Sequence, residues 1–153
     1  MKKKYLPISI DISEQKILII GGGESACKKL KILQRFGAEV EVIAKDVCDE
    51  IKQSGIKYVE CEYEKKLLNG FIMLYSCTNN FELDLQILAD GKEMGVLVNI
   101  HDKPELCQFV SPAVFQNGNI TVAVGSNAEN VYESIKLRNL IGDFLTKEYF
   151  KKL

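Results

Sequence analysis

The sequence predicts an α/β chain with a doubly wound, mainly parallel sheet and a C-terminal amphipathic helix. Three observations carry that prediction. Short apolar runs alternate with stretches of helical periodicity along most of the 153 residues. The first run, Ile17-Leu18-Ile19-Ile20, leads straight into Gly21-Gly22-Gly23, and a helical pattern begins at once behind it. The spacing Gly21-x-Gly23-x-x-Ala26 is the Gly/Ala form of the dinucleotide-binding fingerprint. Gly21 permits a tight turn out of the strand, Gly23 lets a pyrophosphate approach the backbone, and Ala26 lets the helix pack closely. The helix N-terminus then offers unpaired N–H groups and a partial positive charge to phosphates.

The elements follow in order. Ile17–Ile20 is the first strand. A helix over about Glu24–Phe36 carries Ala26, Cys27, Leu30, Leu33 and Phe36 near helical spacing, and Gly37 caps it. Glu39–Ala44 alternates Val40 and Val42 with acids and reads as the second strand. A short helix over about Val47–Gln53 stops near Gly55, and Ile56–Cys61 is the third strand. Phe71–Cys77 is the fourth, closing on Thr78-Asn79-Asn80. A helix follows over about Glu82–Met94, with Leu83, Ile87, Leu88 and Ala89 apolar. Val96–Ile100 is the fifth strand and Ile120–Val124 the sixth. Right-handed crossovers give the Rossmann order 3-2-1-4-5, with the ligand at the carboxyl ends of the strands.

Ser126-Asn127-Ala128-Glu129 has the Ser-x-x-Glu form of a capping box. Behind it Leu137, Leu140, Ile141 and Phe144 fall at i, i+3, i+4 and i+7. This apolar face must pack on the sheet or on a second subunit, so a homodimer is one expectation. The expected division is 1–126 for the dinucleotide-binding domain and 127–153 for a short helical segment.

Composition narrows the function. A net charge of -1 provides no general attraction to nucleic acid or to an anionic membrane. No apolar run approaches the ~20 residues of a membrane-spanning helix. Lys2-Lys3-Lys4 reads as a solvated start, and Pro7, Asp11 and Ser13 argue against a signal peptide. The five cysteines, Cys27, Cys48, Cys61, Cys77 and Cys107, are scattered without a Cys-x-x-Cys pair. That spacing argues for reduced thiols in a cytoplasmic protein, not for a disulfide framework or a zinc site. With a single histidine, no transition-metal site is expected.

The strand ends supply the candidate site: Gly21, Gly22, Gly23, Glu24 and Ser25, then Ala44–Asp46, Thr78–Asn80 and Asn99–Asp102. An NAD site usually carries an acid at the end of the second strand, to accept from the ribose 2′-hydroxyl. Here that position is about Ala44, followed by Lys45 and Asp46. Asp46 reaching the ribose favours NAD, Lys45 pairing with a 2′-phosphate favours NADP, and both also read as solvated loop charges. Thr78 and Asn79 suit hydrogen bonds to cofactor or substrate, while Asn79-Asn80 equally suits a helix N-cap. Asp102, just past the fifth strand, is placed for a general base or for a turn-initiating cap. His101 would suit a metal ligand or proton shuttle, but strand alternation points it opposite to Ile100 and Asp102 and favours a surface or partly packed side chain. Lys103, Lys136 and Arg138 are the basic groups available for an acidic substrate.

With the glycine loop and the fifth strand both in view, the chain resembles the precorrin-2 dehydrogenase family, the dehydrogenase part of siroheme synthases. The resemblance runs from about Tyr5 to Ser126. It rests on Leu6-Pro7-Ile8 before the first strand, on Gly21-Gly22-Gly23 with Ala26 and Lys29, and on Asn99-x-x-Asp102 followed by Pro104-Glu105-Leu106-Cys107, Phe109 and Pro112-Ala113. It implies NAD-dependent oxidation of precorrin-2, a tetrapyrrole, to sirohydrochlorin on the route to siroheme or cobalamin. Some members of the family also insert ferrous iron or cobalt. The family's important aspartate matches Asp102. Its cofactor contacts match Gly21–Ser25, Lys45 and Asp46; Thr78, Asn79 and Asn99 are further cofactor candidates from their strand-end positions alone. A serine near its tetrapyrrole site matches Ser126. The chain departs at Asn127-Ala128-Glu129-Asn130, where the family usually has a Gly-Gly-x-Ser-Pro-like turn. No methyltransferase domain is expected in these residues. The alternatives are another small NAD(P)-dependent oxidoreductase, or an NAD(H)-sensing module acting through its C-terminal helix.

Overall fold

A computed structural model describes residues 3–152. Lys2, read as part of the solvated start, lies outside the described residues. The chain forms two compact units, Ser9–Phe109 and the described parts of 1–8 with 110–153.

The larger unit holds five strands: β1 (Lys16–Ile20), β2 (Glu39–Ala44), β3 (Lys57–Glu60), β4 (Phe71–Ser76) and β5 (Leu97–Ile100). They form one sheet in the order β3-β2-β1-β4-β5. Every pairing is parallel. The expected order 3-2-1-4-5 is therefore the order observed. β1 is central, so its residues Ile17–Ile20 are buried on both faces and form a continuous apolar run. The helices are α1 (Glu24–Arg35), α2 (Asp49–Gln53) and α3 (Phe81–Met94). Ala26, Cys27, Leu30 and Leu33 of α1 join Ile17, Ile19, Val40, Val42 and Met73 in the core. Phe36, expected on that face, lies beyond the end of α1 and is 38% exposed.

β2 shows why its acids are tolerated. Glu41 is buried between two lysines that open the neighbouring strands. Lys16 Nζ lies 3.0 Å from its carboxylate and Lys57 Nζ 2.9 Å. A buried carboxylate needs such partners.

α3 departs from its expected apolar face. Its buried residues are Asp84, Ile87, Leu88 and Gly91, an i, i+3, i+4, i+7 stripe that begins with an acid. Ala89 is exposed. Asn80 caps the helix, its side chain accepting from the Leu83 N–H at 3.1 Å. Gly91 has no room for a Cβ, because the Val98 side chain of β5 already stands there.

The smaller unit corrects two expectations. The sixth predicted strand does not extend the parallel sheet. It is one arm of a separate hairpin in which β6 (Ala113–Asn117) pairs antiparallel with β7 (Ile120–Val124). Gly118, with φ 57°, sits in the two-residue turn between them. The weakly apolar segment Ala113–Asn117 gave no strong strand pattern. The second correction is the cap. The helix is α4 (Val131–Phe144), and its N-cap is Asn130, which accepts from the Glu133 N–H at 3.0 Å. Ser126 sits one turn earlier and accepts from the Asn130 N–H at 3.0 Å. The residues of α4 that pack on the hairpin are small or polar. Gly142 lies against the Phe115 ring, and Arg138 donates to the Val114 carbonyl at 2.9 Å. The apolar stripe is left outward within this unit, with Leu140 57% and Phe144 64% exposed.

Candidate functional site

Because all five strands run parallel, their carboxyl ends share one edge of the sheet. The glycine loop stands there, directly after the central strand. Gly21 has φ 123°, a conformation that L side chains rarely adopt, and its N–H donates to the Ile43 carbonyl at 2.8 Å. A Cβ on Gly21 would strike the Cys77 carbonyl, and one on Gly22 would strike the Asp46 carbonyl. Gly23 is different, since a Cβ there would meet nothing within 4 Å. Two glycines therefore exist for backbone packing, and the third faces open space at the head of α1.

Gly23 is the N-cap of α1, and no side chain caps that helix. Its first N–H groups face outward beside open space. That is the arrangement that receives a phosphate. The residues present thus fit a dinucleotide's pyrophosphate at Gly21–Ala26, with Glu24 and Ser25 in the first turn. Lys28 pairs with Glu24 on the exposed face of that turn, at 2.6 Å.

The loop after β2 packs on the same glycines. Cys48 N–H donates to the Gly22 carbonyl at 2.9 Å. Lys45 and Asp46 are exposed. Lys45 Nζ is 2.8 Å from Glu62, an exposed ion pair of little energetic weight that a 2′-phosphate or ribose could displace. Cys77, after β4, is buried beneath the loop, and burial pushes its thiol up to about 11.

At the ends of β4 and β5 a polar network appears that sequence reading missed. Asp84 is 1% exposed. Its carboxylate accepts from Ser76 Oγ at 2.7 Å, from Thr78 Oγ1 at 2.8 Å and from Lys103 Nζ at 2.8 Å. Thr78 and Lys103, both considered as ligand contacts, are thus held by a buried acid. The signal was available: Asp84 falls on the buried stripe with Ile87, Leu88 and Gly91, where an acid needs partners. Asn79 is exposed with φ 55°. Asn99 donates from Nδ2 to the Phe109 carbonyl at 2.9 Å, fastening the segment after β5 to the strand.

Asp102 follows β5 with φ 57°, a left-handed conformation that short polar residues such as Asp tolerate best. Its side chain is 86% exposed on the carboxyl edge of the sheet. His101 contradicts the alternation argument. Its Nε2 lies 3.3 Å from Asp102 Oδ2. β5 ends at Ile100, and alternation does not extend into the turn beyond it. The His101 N–H donates to the Ser76 carbonyl at 2.9 Å, tying the turn to β4. Ser126 belongs to the smaller unit, where its hydroxyl accepts from Ser134 Oγ at 3.0 Å. No group of three or more metal-ligating side chains occurs among the described residues.

A parallel sheet with an uncapped helix behind an open glycine loop defines a dinucleotide-binding α/β protein. The chain belongs to the family described as "Putative NAD(P)-binding", whose model matches residues 8–113. It is 36% identical over 126 residues to the siroheme synthase of Buchnera aphidicola subsp. Acyrthosiphon pisum, covering 80% of this chain and 27% of that protein. It is 32% identical over 126 residues to the siroheme synthase of Vesicomyosocius okutanii, again covering 80% and 27%. The chain thus spans about a quarter of the length of these relatives. Its fold is shared with a solved structure titled "SirC, precorrin-2 dehydrogenase", at a TM-score of 0.71 and 18% identity, over 91% of this chain and 70% of that one.

Proposed function

We propose that the chain oxidises precorrin-2 to sirohydrochlorin with NAD as hydride acceptor, in the siroheme branch of tetrapyrrole synthesis. The observation that carries this reading is the pairing of two features on one sheet edge. An open, uncapped glycine loop follows β1, and an exposed aspartate in a left-handed turn follows β5. The siroheme synthase relatives and the fold shared with SirC support the substrate.

NAD, when bound, supplies the acceptor for the hydride. The chain's own groups do the rest. Gly21–Ala26 hold the pyrophosphate, and Asp46 or Lys45 meets the adenosine ribose. Asp46 as the acid on that ribose supports NAD over NADP. Losing a hydride from a reduced tetrapyrrole also requires losing a proton, and Asp102 accepts it as general base. His101, within 3.3 Å of that carboxylate, orients it. Thr78, Asn79 and Asn99 stand at the ends of β4 and β5 and bind the nicotinamide half. The free cysteines support a reducing, cytoplasmic setting. No helix among the described residues is long and apolar enough to cross a membrane. The outward stripe of α4 supports a homodimer. Metal insertion into the product, if the chain performs it, uses the macrocycle and Asp102.

The test is an absorbance assay of precorrin-2 with NAD and NADP in parallel. Asp102→Ala is expected to lower turnover by about 10²–10⁴-fold, with the Kd for NAD unchanged. Full activity in that variant sinks the role of Asp102. A chain that binds NAD but leaves precorrin-2 unchanged supports the NAD(H)-sensing alternative.

A further inference from the structure

Two of the scattered cysteines meet in the fold. Cys27 lies in the first turns of α1 and Cys48 at the end of the loop after β2. Their sulfurs are 3.1 Å apart. Nothing in their spacing of 21 residues announces this. Both belong to the glycine-loop assembly. Cys27 N–H donates to the Gly23 carbonyl at 3.1 Å, and Cys48 N–H donates to the Gly22 carbonyl at 2.9 Å. The thiol pair therefore bridges the two segments that hold the dinucleotide.

We propose that Cys27 and Cys48 are an oxidisable dithiol, and that closing the disulfide weakens dinucleotide binding at the glycine loop. The coupling half of this rests on the site reading above, whereas the disulfide half does not. A covalent bond requires the sulfurs to approach to about 2.05 Å. The sulfurs must therefore close by roughly 1 Å, part of it by drawing the Cys48 segment toward α1. The loop has no slack for this. The Asp46 carbonyl already occupies the space a Cβ on Gly22 would need, and Val47 Cα lies 2.8 Å from that point. Drawing Cys48 toward α1 displaces Lys45 and Asp46, the residues set against the ribose.

The surroundings fit the chemistry. A cleft of about 40 Å³ lined by Cys27, Lys31 and Glu50 opens on the Cys27 side of the pair, and the oxidant reaches Cys48 through that residue's own partial exposure. Cys48 is the more exposed thiol and Cys27 the buried one. Burial, then the bond to Cys48, pushes the Cys27 thiol up to about 12, so it needs a base to react. Glu50 lines the same cleft, paired with Lys31 at 2.5 Å, and that pairing holds its carboxyl below the ordinary value of 4.5. With a peroxide as oxidant, the Cys48 sulfur takes one oxygen and becomes a sulfenic acid, releasing water. As Cys27 attacks that sulfur, its proton passes toward the departing hydroxide. The S–S bond forms, the S–O bond breaks, and the departing hydroxide takes the proton as a second water. Two thiols and one peroxide thus become one disulfide and two waters.

The test treats the full chain with hydrogen peroxide and maps thiols by alkylation and peptide mass. Titrations with NAD and NADP follow on reduced, oxidised and re-reduced protein. A Cys27–Cys48 cross-link is expected, with the Kd for the preferred dinucleotide raised about ten-fold and restored by a thiol reductant. Linkage requires the reciprocal effect: saturating dinucleotide makes the disulfide about ten-fold harder to form, or about 30 mV in midpoint potential. In Cys48→Ser and, separately, Cys27→Ala, peroxide should leave the Kd where it was. Links through other cysteines, or sulfinate without a cross-link, overturn the dithiol. A cross-linked protein that binds with unchanged Kd overturns the coupling alone. A reduced chain that binds neither dinucleotide overturns the site reading and the coupling with it, and the peptide map still decides the disulfide.

Discussion

Gly22 and Gly23 are adjacent, chemically identical and subject to opposite demands. At Gly22 a methyl group strikes backbone, which cannot rotate away. Gly22→Ala is expected to cost about 1–3 kcal/mol of stability by overpacking, read from urea denaturation. At Gly23 the same methyl group meets nothing. Gly23→Ala should cost about 1 kcal/mol or less, the usual penalty of a poor N-cap, yet weaken NAD at least about ten-fold by filling the phosphate's approach. Equal stability losses in the two variants would refute this division of labour. The fingerprint spacing separated Gly21, the turn, from Gly23, the phosphate's approach, but it said nothing of the Asp46 carbonyl that stands where a Cβ on Gly22 would be. Asp102 was legible as a candidate from its place after a strand and from the family resemblance, whereas Asp-x-Pro104 alone pointed to a turn. Its neighbour His101 was not, because a left-handed residue ends the alternation on which a strand argument depends.

Among the elements, α3 and β2 show how a charge enters a core. Asp84 on α3 holds Ser76, Thr78 and Lys103, from β4, the segment after it and the turn after β5. Asp84→Ala leaves a lysine and a buried hydroxyl without that partner, and should cost about 3–5 kcal/mol, read from urea midpoints. Asp84→Asn keeps hydrogen bonding to the hydroxyls and should cost less. If the two variants are equally stable, the charge pairing has no part in the fold. Glu41 on β2 makes stability depend on pH. Burial is the largest single influence and pushes its carboxyl up. The hydrogen bonds and charges of Lys57 and Lys16 together outweigh it and hold the group below its ordinary value of 4.5. A depressed folded value means the stabilisation is complete above the unfolded value and is lost as pH falls through the folded one. Glu41→Gln should therefore flatten the fall of stability below about pH 4.5, measured by denaturant titrations at several pH values. An unchanged slope would assign the acid sensitivity to other groups. Both elements were legible as helix and strand from periodicity, and the stripe marked Asp84 as buried, whereas the lysines that pair with Asp84 and Glu41 come from elsewhere in the chain.

For the molecule as a whole, α4 raises the question of assembly. Arg138 and Gly142 meet the hairpin, while Leu137, Leu140 and Phe144 stay outward within the smaller unit. If this stripe closes a homodimer, Phe144→Glu should shift sedimentation from dimer toward monomer. It should leave the larger unit's NAD binding within about two-fold, as expected for energetically independent sites. A wild-type chain that sediments as a monomer at all concentrations would remove the dimer. The sequence by itself determined the parallel sheet, its order and the place of the glycine loop. Those follow from local regularities: apolar runs buried on both faces, helical stripes, and a glycine spacing that a single turn requires. Tertiary structure alone decided that the last predicted strand belongs to a separate hairpin, that Asp84 is a hub, that His101 meets Asp102, and that Cys27 meets Cys48. Each of these depends on side chains brought together from separate segments by the fold. Local periodicity records which face of an element is buried, but not what stands on the other side.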